Sequence, residues 1–316
     1  MVLLINVLVL LWVQQSVFAE YVPKRQPKDN SVESKVKTLP PAIRFTPPSF
    51  SQLVKRFPKY MIIGFGKAGT KALYEALKLH PSLRGPEKEP RYFTRYYSQG
   101  LWSYLLRMPI PPHGGFIIEK SPDYITSSET ARRIVQSTSM IDVDYSRMIF
   151  IVVLRNPVDR AMSEYLEWNM LHMLRHQKLL PSFSQMVLNK DGGVDSSRAF
   201  LTNSCYAQHI ANWLQVFGQE QMCFVDGDRF IVDPYEVIQA LERCMELSPF
   251  FSRKNFIRKK DQRFYCFVVG RREVCMNKSK GRIHPEIPQG TLAKLRAFFH
   301  PWNEQLWNLT GMSFIG

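Results

Sequence analysis

Four strand-like runs constrain this chain more than anything else in it: residues 60–64, 115–119, 147–154 and 222–225, each with an uninterrupted apolar centre such as Ile149-Phe150-Ile151-Val152-Val153-Leu154. A strand with one wet face alternates polar and apolar residues, whereas a run without alternation is covered on both faces. Stretches with helical spacing separate the runs, at residues 70–79, 128–136, 158–173, 206–217 and 234–245. That alternation predicts a P-loop-like, doubly wound α/β fold: a single domain with a mostly parallel sheet flanked by helices. No apolar run approaches the roughly 18 residues of a spanning helix, which excludes a polytopic membrane protein.

The N-terminal region reads differently. Residues 2–13 are almost entirely apolar, and Val17 with Ala19 fits a small-residue cleavage pattern. Residues 1–19 are therefore read as a secretory signal peptide or a short signal-anchor. A basic, proline-rich stem over 20–56 follows, and the folded domain is expected over 57–316. In an oxidising lumen, Cys266 and Cys275, nine residues apart around a Gly270-Arg271-Arg272 turn, suit a disulfide-closed hairpin. Cys205, Cys223 and Cys244 lie in apolar surroundings and read as buried thiols. No Cys/His cluster has zinc spacing, so no metal site is expected. Asn277-Lys278-Ser279 and Asn308-Leu309-Thr310 are glycosylation sequons.

The first run ends in Gly64-Phe65-Gly66-Lys67-Ala68-Gly69-Thr70, and a helical stretch begins at once with Lys71. Such a turn surrounds an anion with backbone N–H groups and a helix N-terminus, to which Lys67 adds charge and Thr70 a hydroxyl. Nucleotide kinases place their loop lysine directly before the Ser/Thr, whereas here Lys67 precedes Thr70 by three residues. The third run ends in Leu154 and continues as Arg155-Asn156-Pro157-Val158-Asp159-Arg160-Ala161-Met162-Ser163. Arginine at a strand's C-terminal end stands where open α/β sheets bind ligands, and its planar fork suits a phosphate monoester. Charge points the same way: the chain carries a formal +15, of which residues 251–282 supply +9. That excess predicts a polyanionic partner. Interleaved Phe250, Phe251, Phe256, Phe264 and Tyr265 would suit single-stranded nucleic acid, but secretory entry argues against it.

Lys67-Ala68-Gly69-Thr70 and the segment from Arg155 to Ser163 resemble the two cofactor motifs of PAPS-dependent sulfotransferases. With Glu119-Lys120-Ser121-Pro122-Asp123-Tyr124 and Lys280-Gly281-Arg282-Ile283-His284-Pro285, the chain resembles the heparan sulfate glucosaminyl 3-O-sulfotransferases from about Phe57 to its end. The resemblance implies the sulfotransferase fold and sulfuryl transfer from PAPS to a glucosamine 3-hydroxyl of heparan sulfate, without a required metal. It also implies residence in the Golgi lumen, with the membrane involved only through the N-terminal segment. Lys67, Ala68, Gly69, Thr70 and Lys71 would hold the 5′-phosphosulfate, and Arg155 with Ser163 the 3′-phosphate. Lys280, Gly281, Arg282, Ile283 and His284 would close over the nucleotide.

The family spacing Glu-Pro-x-aromatic-Phe places the general base at Glu89, with Lys67 and Lys120 assisting; Glu87 then reads as a surface charge. Glu89, Arg91, Arg95, Lys120, Asp123 and Arg198 form the implied acceptor set. The chain departs from the family pattern in carrying Arg91 where histidine is usual and Thr94 where aspartate is usual. Arg91 cannot act as a base, but its guanidinium can hold a sulfate or uronate. N-sulfation, another glycan sulfotransfer, a phosphotransferase and a non-catalytic heparin-binding relative stay open on these residues.

Overall fold

The computed structural model describes residues 48–260, 262–276, 283–312 and 314. Five parallel strands form its centre: β1 (Tyr60–Gly64), β2 (Leu83–Arg84), β3 (Phe116–Lys120), β4 (Ile149–Leu154) and β5 (Met222–Asp226). They lie in the order β2-β3-β1-β4-β5. Every residue of β1 is buried, as is all of β4 beyond Ile149. Burial on both faces is what their unbroken apolar sequence requires, and each such Ile or Val stabilises the fold by roughly 1.5–3 kcal/mol.

The helices in chain order are α1 (Phe50–Val54), α2 (Thr70–Leu77), α3 (Leu101–Arg107), α4 (Thr130–Met140), α5 (Pro157–His176), α6 (Phe183–Val187), α7 (Ala199–Thr202), α8 (Tyr206–Leu214), α9 (Gly227–Val232), α10 (Pro234–Cys244) and α11 (Gln289–Thr310). α5 starts where its sequence dictates. The Asn156 side chain accepts from the N–H groups of Val158 and Asp159, Pro157 fills the first position, and Asp159 complements the dipole. Leu53 of α1 is buried, so ordered packing begins a few residues before Phe57.

Strand order positions the site. From β1 the chain moves to β2 and β3 on one side, then enters β4 on β1's other side. The strand order reverses between β1 and β4, and ligands of open α/β sheets bind outside the C-terminal ends of the strands at such a switch point.

A small antiparallel sheet of β6 (Phe256–Ile257), β7 (Cys266–Val269) and β8 (Arg272–Val274) lies after α10 in the chain. A disulfide joins Cys266 to Cys275 across its hairpin. A second disulfide corrects the reading of the remaining cysteines: Cys223 of β5 is bonded to Cys244 at the end of α10, with Cα atoms 6.0 Å apart. Their apolar surroundings are those of a helix packed on a strand, which suit a half-cystine as well as a thiol. Cys205 alone stays free, and burial pushes its thiol up to about 12.

Unfolding the protein without reductant should therefore expose one titratable thiol, whereas three, with mass spectrometry of the alkylated peptides placing label on Cys223 and Cys244, would rule out the bond between them. Reducing that bond, which closes a sequence separation of 21, should destabilise the fold by about 3 kcal/mol in denaturant titration.

Candidate active site

The turn after β1 is shaped by its neighbours. Gly69 stands at φ 106° and Lys67 at φ 73°, while Ala68 keeps out of the left-handed region, so alanine is accommodated there. A lysine at such a φ costs about 1–2 kcal/mol, and the surroundings hold it in place. The buried Arg160 donates from Nε to the Gly66 carbonyl at 3.0 Å and from Nη1 to Phe200 O and Ser204 Oγ. Its Nη2 pairs with Glu164. Gly227 lets α9 approach from the other side, for a Cβ there would lie 2.2 Å from the Ala68 carbonyl. Side chains added at Gly66 or Gly69 would meet nothing within 4 Å, so this backbone faces open space. No side chain caps α2, whose first-turn N–H groups remain available to an anion.

That space is a cavity of about 310 Å³ lined by Lys67, Ala68, Gly69, Thr70, Lys71, Arg155 and Ser163 together with Glu89, Arg91, Lys120 and His284. Phe230, Phe264, Tyr265 and Phe267 give it an aromatic wall, and Arg263 adds a cation. Arg155 is braced by Asp228, which accepts from its Nε and from the Asn156 N–H, each at 2.8 Å. Lys67 lies 3.4 Å from Glu167. His284 Nδ1 lies 3.4 Å from Asp159, and this contact, opposed by burial, holds the Asp159 carboxyl below the ordinary range. Ile283 is 88% exposed and lines no part of the cavity. Lys280, Gly281 and Arg282 lie outside the described residues, as does the Asn277 sequon.

Glu89 is the carboxylate of this cavity that two cations engage. Lys120, at the end of β3, pairs with its Oε1. Arg91 donates to its Oε2 twice, from Nε at 2.8 Å and Nη2 at 2.5 Å. Burial pushes the Glu89 carboxyl up, but Lys120 and Arg91 outweigh it and hold the group below its ordinary range. Lys120 is the more deeply buried partner; desolvation, with Lys71 and Arg91 nearby, pulls its ammonium down despite the carboxylate. Arg91 reaches back because its backbone is left-handed, at φ 48°, just before a π-helical turn over Tyr92–Tyr96. Its N–H donates to Ser121 Oγ at 2.9 Å, and that hydroxyl donates to the buried Glu119. Thr94 donates to Asp123 at 3.0 Å, and Arg95 lies 3.8 Å from the same carboxylate.

Beyond Glu89 runs an open groove of about 1140 Å³, whose cations are Lys78, Arg84, Lys88, Arg107, Arg271 and Arg272. Among the described residues, Glu89 is the one side chain that lines both groove and cavity. Glu87 lies on the groove side, 88% exposed at its side chain and 3.4 Å from Lys78. Arg95, Asp123 and Arg198 line neither space. Arg198 is instead engaged by Asp195 at 2.8 Å, next to α7.

Residues 57–283 match the sulfotransferase domain family. Heparan sulfate glucosamine 3-O-sulfotransferase 6 of Mus musculus is 34% identical over 264 residues, covering 82% of this chain and 74% of that protein. Heparan sulfate glucosamine 3-O-sulfotransferase 5 of Homo sapiens is 34% identical over 265 residues, with the same shares covered. This chain belongs to the heparan sulfate glucosamine 3-O-sulfotransferase family. It is a sulfotransferase. A sulfotransferase from Alicyclobacillus acidocaldarius shares the fold, with a TM-score of 0.58 at 21% identity over 81% of this chain and 97% of that one.

Some residues that shape or line this cavity were not assigned from sequence: Arg160, Glu164, Gly227 and Arg263. Arg160 and Glu164 form an i,i+4 pair, which on sequence alone reads as a solvated helix face. Replacing Arg160 with Met should cost about 3 kcal/mol in denaturant titration, since it strands Glu164 and the Gly66 carbonyl. Arg132→Met, at an exposed i,i+3 pair with Glu129, should cost under about 1 kcal/mol. Equal costs would show that Arg160 is no pin for the loop.

Proposed function

We propose that this enzyme transfers a sulfuryl group from PAPS to the 3-hydroxyl of a glucosamine residue in heparan sulfate, with Glu89 as general base. The observation that carries this reading is the position of Glu89, common to a cation-lined cavity of nucleotide size and an open groove with more cations than carboxylates. A donor in the one and a polysaccharide in the other would meet at that carboxylate.

The residues present fit PAPS. Open backbone at Gly66 and Gly69, an uncapped helix start, and Lys67, Thr70 and Lys71 suit its 5′-phosphosulfate. Arg155, oriented by Asp228, and Ser163 suit the 3′-phosphate, and Phe230, Phe264, Tyr265 and Phe267 offer an apolar wall for the base. PAPS supplies an activated sulfuryl group, whose bond to the 5′-phosphate breaks as the acceptor oxygen bonds to sulfur. Glu89 takes the proton from the attacking hydroxyl. Lys120 holds the carboxylate in place, and Lys67 with the start of α2 offsets negative charge growing on the leaving phosphate. The cations along the groove attract a sulfated chain from solution and align it. We assign the protein to the Golgi lumen, in keeping with its two disulfides and the apolar residues 2–13.

Glu89→Gln should lower transfer to heparan sulfate by about 10²- to 10⁴-fold, while calorimetry finds unchanged affinity for PAP. Full activity in that variant would remove Glu89 as the base. The pH profile follows from the sign of the Glu89 shift. The base works ionised and its pKa is lowered, so kcat/KM should stay level on acidification and fall only below about pH 4.5, the ordinary carboxylate value. An acid limb above that value would contradict the assignment.

A further inference from the structure

The groove beside Glu89 is only mildly cationic. Among the described residues, its six Lys and Arg side chains face four carboxylates, Glu75, Glu87, Glu89 and Glu273. Heparan sulfate is a polyanion, and so small a surplus draws it weakly. A denser group of cations stands just outside. All of β8 lines the groove, together with Arg271 before it. Glu273, the one acid of that strand, pairs with Lys259 from the connection between β6 and β7. On either side of Lys259 in the chain are Lys260 and Arg258, whose guanidinium lies 5.9 Å from the centre of the Tyr265 ring. All three are exposed, and none lines the groove or the cavity. The cluster is thus joined to the groove wall through Glu273, and no other carboxylate among the described residues pairs with it.

We propose that Arg258, Lys259 and Lys260 form an outer subsite, which holds a sulfated segment of the acceptor chain where that chain leaves the groove past β8. The inference rests on heparan sulfate being the acceptor, and it adds a preference for long chains. Lys259 also offsets the only carboxylate that β8 presents along the way. Exposed cations contribute little each, because water and salt screen them. A chain already held in the groove, however, offers its next sulfates to the cluster at high effective concentration, so the two engagements reinforce each other. An oligosaccharide that ends inside the groove gains nothing from the cluster.

The test measures binding of size-fractionated heparan sulfate, from tetrasaccharides to long chains, by calorimetry with PAP present, which has no sulfuryl group to transfer. The triple variant Arg258→Gln, Lys259→Gln, Lys260→Gln should bind long chains about 5- to 30-fold more weakly than wild type, a loss that shrinks as salt is raised. Its affinities for tetrasaccharides and for PAP should stay within about twofold of wild type. In transfer assays KM for long chains should rise by the same factor, with kcat unchanged. A control variant, Lys55→Gln, Arg132→Gln, Arg147→Gln, removes the same charge from exposed residues that line neither space, and should bind every length as wild type does. Equal losses in the two variants would reduce the effect to net charge and overturn the subsite. Equal weakening on short and long chains, unchanged binding of long chains, or lost PAP affinity would overturn it too. Wild-type protein that binds long chains no tighter than tetrasaccharides overturns it without any variant. Length-dependent binding through the cluster, in a protein that transfers no sulfate, would uphold the subsite and remove the 3-O-sulfation reading alone.

Discussion

The site depends on β1 being the middle strand of a parallel sheet. Because β3 pairs with one edge of β1 and β4 with the other, all three strands end at the same side of the sheet. The loop after β1, Lys120 at the end of β3 and Arg155 just after β4 are thereby gathered around one crevice. Backbone hydrogen bonds and two-sided burial hold the strands in register, and the charged residues contribute little to that. A fold stabilised by apolar strands can carry a dense group of cations at its edge because the two tasks fall to different residues.

Those cations have to be kept apart from one another and aimed. Asp228 braces Arg155, Glu167 faces Lys67, and Glu89 lies between Lys120 and Arg91. Each acid restrains a side chain that would otherwise sample many rotamers beside like charge. Arg160 does the same for the backbone, with its guanidinium spread over the Gly66 carbonyl, Phe200 O and Ser204 Oγ. Preorganisation of this kind means that little has to reorder when an anion arrives.

The sheet was legible in the sequence because two-sided burial leaves unbroken apolar runs, and all four runs became strands. β2 escaped notice, since two residues carry no period. Helix limits shifted where no cap marks them: α4 begins at Thr130 and runs to Met140, while the sequence suggested 128–136. Lys67, Thr70, Arg155 and Ser163 were visible in the two segments that follow β1 and β4, and all four line one cavity. The Cys223–Cys244 bond was not visible, because it records the packing of α10 on β5. Neither was the Arg91–Glu89 pair, which requires a left-handed residue that no turn motif announces. Phe264 and Tyr265 first suggested stacking with bases of nucleic acid, yet they form a wall of the same cavity as Lys67.

Localising the transferred sulfate tests the account most directly. After incubation of the protein with labelled PAPS and heparan sulfate, the product can be cleaved to disaccharides and the position of label assigned by mass spectrometry. Glu89 at the meeting of cavity and groove, acting on a glucosamine 3-hydroxyl, predicts label on the oxygen at C3. Label confined to the glucosamine nitrogen, to its C6 oxygen or to the uronate would contradict that account.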